Sequence, residues 1–197
     1  MKGSTEESQL IAPLIVVSGP SGVGKSTVVA RALELNPKLW LSVSATTRVP
    51  RVGEVHGVSY SFVSDTQFSQ MVESGQMLEW AQYAGNRYGT PSEPVQAKRE
   101  AGVPVILEIE VKGARQVREQ APDAILVFIA PPSVAELDAR LRKRGTEDEV
   151  ALAARLEIAH EELAAISEFD HVLVNADVSL TATALLEFCS DPRNEDS

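Results

Sequence analysis

The sequence predicts an α/β fold in three layers: a parallel central sheet with helices on both sides, a small inserted subdomain and a helical lid. Three observations predict it. Short apolar runs alternate with helix-compatible stretches along most of the 197 residues, the pattern of a parallel sheet covered on both faces. Gly19-Pro20-Ser21-Gly22-Val23-Gly24-Lys25-Ser26 fits GxxxxGK[ST] between the apolar run LIVV and the helical run STVVARALEL, the strand-loop-helix setting of a phosphate-binding P-loop. The segment from Thr46 to about Pro94 breaks the alternation with short pieces and with glycines at 53, 57, 75, 85 and 89, as an insertion would.

Each element has its own reason. Near-continuous apolar runs make strands of Leu14–Ser18, Trp40–Ser44, Val103–Glu110, Ala124–Ala130 and His171–Asn175. Longer stretches with apolar residues at helical spacing make helices of Ser26–Leu35, Lys112–Gln120, Ser133–Lys143, Glu149–Ile166 and Leu180–Cys189. Inside the insertion, VSYSFV alternates like a strand and DTQFSQMVESG reads as a helix. A second interruption, RKRGTEDEVALAAR, is charged and carries Gly145 as a hinge, which suits a mobile lid. The expected layout is a flexible tail over 1–12, a domain over 13–189 and a second tail over 190–197. Within the domain, the core takes 13–45, 95–138 and 158–189, the insertion 46–94 and the lid 139–157.

Composition narrows the function. A net charge of −10 and a pI near 4.8 leave no broad basic surface, so nucleic acid and anionic membrane are not expected partners. One cysteine, Cys189, gives no internal disulfide, and no long apolar segment marks an export signal or a membrane span, so a cytoplasmic location is expected. His56, His160 and His171 lack metal-ligand spacing.

The glycine-rich loop suits a polyphosphate, because its N–H groups and the helix dipole converge on one anion. Lys25 can reach the β and γ phosphates, and the Ser26 hydroxyl can ligate the magnesium of a nucleotide; a turn merely capped by Ser26 is the plain alternative. No NKxD-type tetrapeptide is evident and the chain is short for a motor ATPase, which favours a small nucleotide kinase. Such an enzyme needs a second anion site. SATTRVPRVGEVHGVSY offers Arg48, Arg51 and Tyr60, and GNRYGT adds Tyr88 and Thr90. A solvated surface pair is the alternative for the arginines.

SATTRVPRVGEVHGVSYSFV, LEWAQYAGNRYGT, LEIEVKGARQV, FIAPPS and RGTEDEVALAAR, in this order from about Leu14 to Phe188, resemble guanylate kinase. The resemblance implies transfer of the ATP γ-phosphoryl group to GMP, and to dGMP, with magnesium, on a P-loop core whose insertion binds GMP. It implies ATP contacts by Gly19, Pro20, Ser21, Gly22, Val23, Gly24, Lys25, Ser26, Thr27, Arg140 and Arg144. It implies guanine contacts by Ser44, Glu79 and Thr90, and GMP-phosphate contacts by Arg48, Arg51, Tyr60 and Tyr88. Lys25, Arg48, Arg144 and Arg155 would act on the transferring group, and no general base is required. For Glu79 the chemistry agrees: a carboxylate accepts from guanine N1–H and the 2-amino group together, whereas adenine N1 presents a lone pair. An exposed strand face is the alternative for Glu79. Strand alternation sends Glu108 and Glu110 to one face. The resemblance implies that Glu110 helps to bind GMP, at a position where the family usually has aspartate; a solvated strand-end carboxylate is the alternative for one of the pair. Guanylate-kinase-like scaffold modules and related P-loop kinases are the competing classes; an intact Lys25, Ser26 and lid argue for an enzyme, as a monomer or small homo-oligomer.

Overall fold

A strand as apolar as LIVVS cannot face water on either side, and the structure covers both. The computed structural model describes residues 11–83, 85–143 and 149–189. The expected tails, apart from Ile11 and Ala12, and the lid residues Arg144 and Gly145 lie outside the described residues. The first elements are β1 (Leu14–Ser18), α1 (Lys25–Leu35), β2 (Trp40–Leu41), β3 (Ala45–Thr46), β4 (Ser61–Phe62), α2 (Asp65–Glu73), β5 (Met77–Tyr83) and β6 (Asn86–Pro91). They are followed by α3 (Ser92–Glu100), β7 (Val105–Glu108), α4 (Val111–Gln120), β8 (Ile125–Ala130), α5 (Val134–Lys143), α6 (Glu149–Ala164), β9 (His171–Val174) and α7 (Val178–Glu187).

The central sheet has the order β2-β7-β1-β8-β9 and is parallel throughout. Alternation along β1 divides the core into its two faces. Ile15 and Val17 pack with Ile106, Val127 and Ile129 under Val28 of α1, Leu137 of α5 and Leu185 of α7. Leu14 and Val16 pack with Val105, Leu107 and Leu126 under Val95 of α3 and Val117 of α4. This is the α/β fold with a parallel central sheet that the sequence predicts. The chain passes from β7 to β8 across β1, so a crevice opens at the C-terminal end of β1.

A second sheet, β4-β3-β6-β5, lies in the segment that breaks the alternation. Ala45, Phe68 and Met77 form its small core under α2, whose start is held by a capping box between Ser64 and Gln67. Arg87 lies 4.9 Å from the Phe68 ring centroid and donates to Ser69 Oγ at 2.9 Å, tying α2 to β6.

Two expectations about elements need correction, and one helix adds to the expected set. The strand expected over Trp40–Ser44 ends at Leu41, because the chain crosses to the second sheet, where Ala45 pairs with Gly89. The strand expected over Val103–Glu110 spans Val105–Glu108: Pro104 has no N–H to donate, and Glu110 has left the strand for the N-cap position of α4. α3 has no counterpart in the sequence reading, since SEPVQAKRE offers only Val95 and Ala97 as apolar positions.

Candidate active site

The loop after β1 turns back on itself before α1 begins. Gly24, at the helix N-cap, has φ of 100°, and a Cβ there would sit 2.7 Å from Asn175 Nδ2. No side chain caps α1, so its first N–H groups and dipole are directed at the crevice. Asn175, buried at the end of β9, donates to Val23 O at 2.8 Å. Arg140 of α5 donates to Val23 O at 3.2 Å and to Asn175 O at 3.3 Å. Beside this junction lies a cavity of about 340 Å³ lined by Gly24, Thr27, Arg140, Asn175 and Ala176.

Several polar groups of the loop already have partners, some in the loop and some in other elements. Lys25 donates to Gly19 O and, at 3.2 Å, to Pro20 O. Ser26 Oγ donates to Glu108 Oε1 at 2.5 Å. From α6, Glu162 Oε2 accepts the Ser21 N–H at 3.1 Å, and Arg155 donates to Ser21 Oγ at 3.2 Å. Burial pushes the Glu162 carboxyl above its ordinary value and Glu110 adds to this, while the Lys25 charge and the Ser21 N–H oppose it.

On the second sheet a cavity of about 170 Å³ is lined by Ser44, Tyr60, Glu79, Tyr88 and Glu110. Glu79 is 6% exposed, and its Oε1 accepts from Thr90 Oγ1 at 2.7 Å across the β5–β6 pair. Burial drives the Glu79 carboxyl upward and Glu110 adds to it, against the Thr90 hydrogen bonds. Burial also raises the Tyr60 phenol, whose ring stands edge-on to Tyr88 at 6.0 Å between centroids. Arg48 lies 5.4 Å from the Tyr60 ring centroid. Its guanidinium meets Glu54 in two hydrogen bonds, at 2.7 and 3.0 Å, which raises Arg48 and lowers Glu54. Arg51 joins through its backbone, donating to Glu54 Oε2 at 2.7 Å.

The two regions share a cleft. Glu110 lines the Glu79 cavity and also a larger one of about 400 Å³, which Glu162 lines as well, and Glu162 holds the P-loop. The expectation that Glu108 and Glu110 act from one strand face is therefore corrected. Glu108 meets Ser26 at the P-loop, and Glu110, beyond the strand end, turns to the insertion cavity. Five of the residues expected to meet GMP, Ser44, Tyr60, Glu79, Tyr88 and Glu110, share one cavity, with Thr90 bonded to Glu79 and Arg48 against Tyr60. Arg144 lies outside the described residues.

Sequence reading missed Glu54, Asn175 and Glu162. Glu54 follows Arg51 by three residues within GEV, a turn spacing that could have paired it with the arginines; Asn175 and Glu162 reach the loop only through tertiary packing. The histidines are engaged elsewhere: His56 Nδ1 accepts from Phe62 N–H at 3.2 Å, and His171 stacks on Phe188 at 4.2 Å. Among the described residues no cluster of three or more His, Cys, Asp or Glu could hold a metal, and no helix is long and apolar enough to cross a membrane.

Comparison with known proteins agrees with this arrangement. A family model described as "Guanylate kinase" matches residues 12–191. A guanylate kinase of Synechococcus sp. (strain CC9311) is 58% identical over 177 residues, 90% of this chain and 93% of that protein. One from Streptomyces coelicolor is 58% identical over 173 residues, covering 88% of each. The crystal structure of guanylate kinase from Anaplasma phagocytophilum superposes with a TM-score of 0.72 at 32% identity, over 94% of this chain and 86% of that one. With a P-loop and an acid-floored cavity on an inserted sheet, and with relatives this similar over nearly its whole length, the chain belongs to the guanylate kinase family.

Proposed function

We propose that this protein transfers the γ-phosphoryl group of ATP to GMP, and to dGMP, yielding ADP and the nucleoside diphosphate, in the cytoplasm. The observation that carries this reading is the buried Glu79 carboxylate in a cavity that also presents Ser44, Tyr60 and Tyr88. A carboxylate there accepts from guanine N1–H and the 2-amino group and repels adenine N1. ATP would take the P-loop, with its base in the cavity beside Arg140 and Asn175. The Ser26 hydroxyl and Glu108 present oxygen donors side by side, a set that fits magnesium, which takes one or two protein oxygens beside phosphates. The ion would supply charge neutralisation on the phosphate oxygens. The chain supplies alignment and positive charge: Lys25 turns from its own loop carbonyls to phosphate oxygens, and Arg155, already at Ser21, reaches the transferring group. A coupled ADP-release assay with ATP and magnesium against GMP, AMP, UMP and CMP tests the reading. Turnover with GMP far above the others is expected, and equal rates with AMP and GMP would refute it.

Two further results are expected. Arg48→Ala and Arg51→Ala weaken GMP by at least about tenfold while leaving guanosine binding nearly unchanged, since the contact removed is to phosphate. Normal GMP isotherms for both variants would return these arginines to the surface-pair reading. Glu162→Gln tightens ATP several-fold in a binding titration, because an incoming polyphosphate no longer meets a carboxylate at Ser21 and Lys25. Weaker ATP binding would instead give Glu162 a supporting contact in the complex.

A further inference from the structure

Gly113 is the third residue of α4 and is buried, a place where alanine would favour the helix. A Cβ at Gly113 would lie 2.8 Å from Glu79 Oε2, 3.3 Å from Glu79 Cδ and 3.3 Å from Ile109 Cδ1. One turn on, Gln116 clamps the neighbouring residue of β5 from the same helix face. Its Oε1 accepts from Trp80 N–H at 3.1 Å and its Nε2 donates to Trp80 O at 2.9 Å. The Glu79 carboxylate is thus bounded on one oxygen by the Thr90 hydroxyl at 2.7 Å and on the other by the bare Cα of Gly113, while Gln116 fixes the strand that carries it.

We propose that Gly113 and Gln116 are positioning residues that hold the Glu79 carboxylate in the insertion cavity, and so set how strictly the site demands a purine with both an N1 hydrogen and a 2-amino group. The inference rests on the reading of Glu79 as the guanine acceptor. Two parallel hydrogen bonds from one base edge require the carboxylate plane to match that edge within a few tenths of an ångström. An added methyl at Gly113 sits closer to Oε2 than any ordinary contact, so the carboxylate must rotate or retreat. Among the described residues, no other helix side chain is bonded to the Trp80 backbone to restore its place. IMP, which lacks the 2-amino group, reads this plane directly: it forms one of the two hydrogen bonds, so the ratio of GMP to IMP efficiency measures how well both oxygens are presented.

The test is steady-state kinetics with GMP and IMP at saturating ATP for the wild type, Gly113→Ala, Gln116→Ala, Glu79→Gln and Gly113→Ala combined with Glu79→Asp, beside thermal melts of each. Gly113→Ala is expected to raise the GMP KM and contract the GMP-to-IMP ratio, each by about tenfold or more, with the ATP KM unchanged and the melting temperature no lower. Gln116→Ala moves the ratio the same way by a smaller factor and carries the test alone if Gly113→Ala does not fold. Shortening the acid in the double variant gives the methyl room and lowers the GMP KM relative to Gly113→Ala. A GMP-to-IMP ratio unchanged in both α4 variants while Glu79→Gln collapses it overturns this inference and leaves the Glu79 reading standing. A ratio unchanged in Glu79→Gln overturns both. Equal losses for GMP and IMP with a lowered melting temperature in the α4 variants would make the two residues merely structural, and overturn the inference as well.

Discussion

Lys25→Ala is expected to lower kcat by ~10²–10³-fold, the range for removing one fixed charge or donor from a developing anion, while GMP affinity stays near that of the wild type. The reason lies in what the lysine does without nucleotide. Its ammonium donates to Gly19 O and Pro20 O, carbonyls of the same loop. It is therefore held within reach of any phosphate that enters, and nothing else described in the loop itself carries a full positive charge. Alanine leaves the loop its dipole and N–H groups, so ATP still binds, but charge on the transferring group goes unmatched. Most of the residues proposed to meet GMP lie on or beside the second sheet, which has its own core of Ala45, Phe68 and Met77, so the proposal has them hold GMP without Lys25. Calorimetry with GMP alone, beside single-turnover rates, checks both halves; a lost GMP isotherm in a folded variant would show that the two sites are not separate.

Glu79→Gln is expected to have the other large effect, removing most of a preference for GMP over AMP that polar matching can raise to ~10⁴-fold. Glutamine keeps the shape and the Thr90 contact but replaces one acceptor with an NH₂ donor, which then faces a donor on guanine. The same change should stabilise the protein without ligand at neutral pH. Burial raises the Glu79 carboxyl in the folded state, so the native protein holds that proton more tightly than the unfolded chain. Its contribution to stability is complete below the ordinary carboxylate value and is lost as pH rises through the raised one. GMP binding, which needs the ionised form, strengthens over the same interval. Melting curves of wild type and Glu79→Gln across that range, with and without GMP, give the check: the gap between the two unliganded proteins should open as pH rises. A gap that closes would put the cause elsewhere.

The parts legible in the sequence are those governed by local rules. LIVVS followed by GPSGVGKS fixes a strand, a loop and a helix start from composition alone, and β1 and α1 appear with at most a one-residue shift. Tyr60 and Tyr88 are legible as donors to a second anion site, but Ser44 and Glu79 join them only through the resemblance, since nothing in the spacing says that the four share a cavity. What stayed hidden depends on partners distant in sequence. Glu162 meets Ser21 across 141 residues and Asn175 meets Val23 across 152, and α6 and β9 give no local sign of facing the loop. The pairing of Glu108 with Glu110 failed for a different reason. Period-two alternation holds only inside a strand, and β7 stops at Glu108, so Glu110 takes its direction from the helix it opens.

β1 has no idle side. Its residues are shared out between two hydrophobic clusters, and its C-terminus is the anchor from which the P-loop hangs. A slip of one residue would move that anchor by about 3.3 Å and exchange every side chain between the clusters. Neither cluster can then relax without the other resisting, so the strand behaves as a doubly keyed peg. The loop at its end inherits a position set by the packing of α1, α5 and α7 on one flank and α3 and α4 on the other. In this way the tolerance of phosphoryl transfer, a matter of tenths of an ångström, is written into the apolar interior of the protein far from any charge.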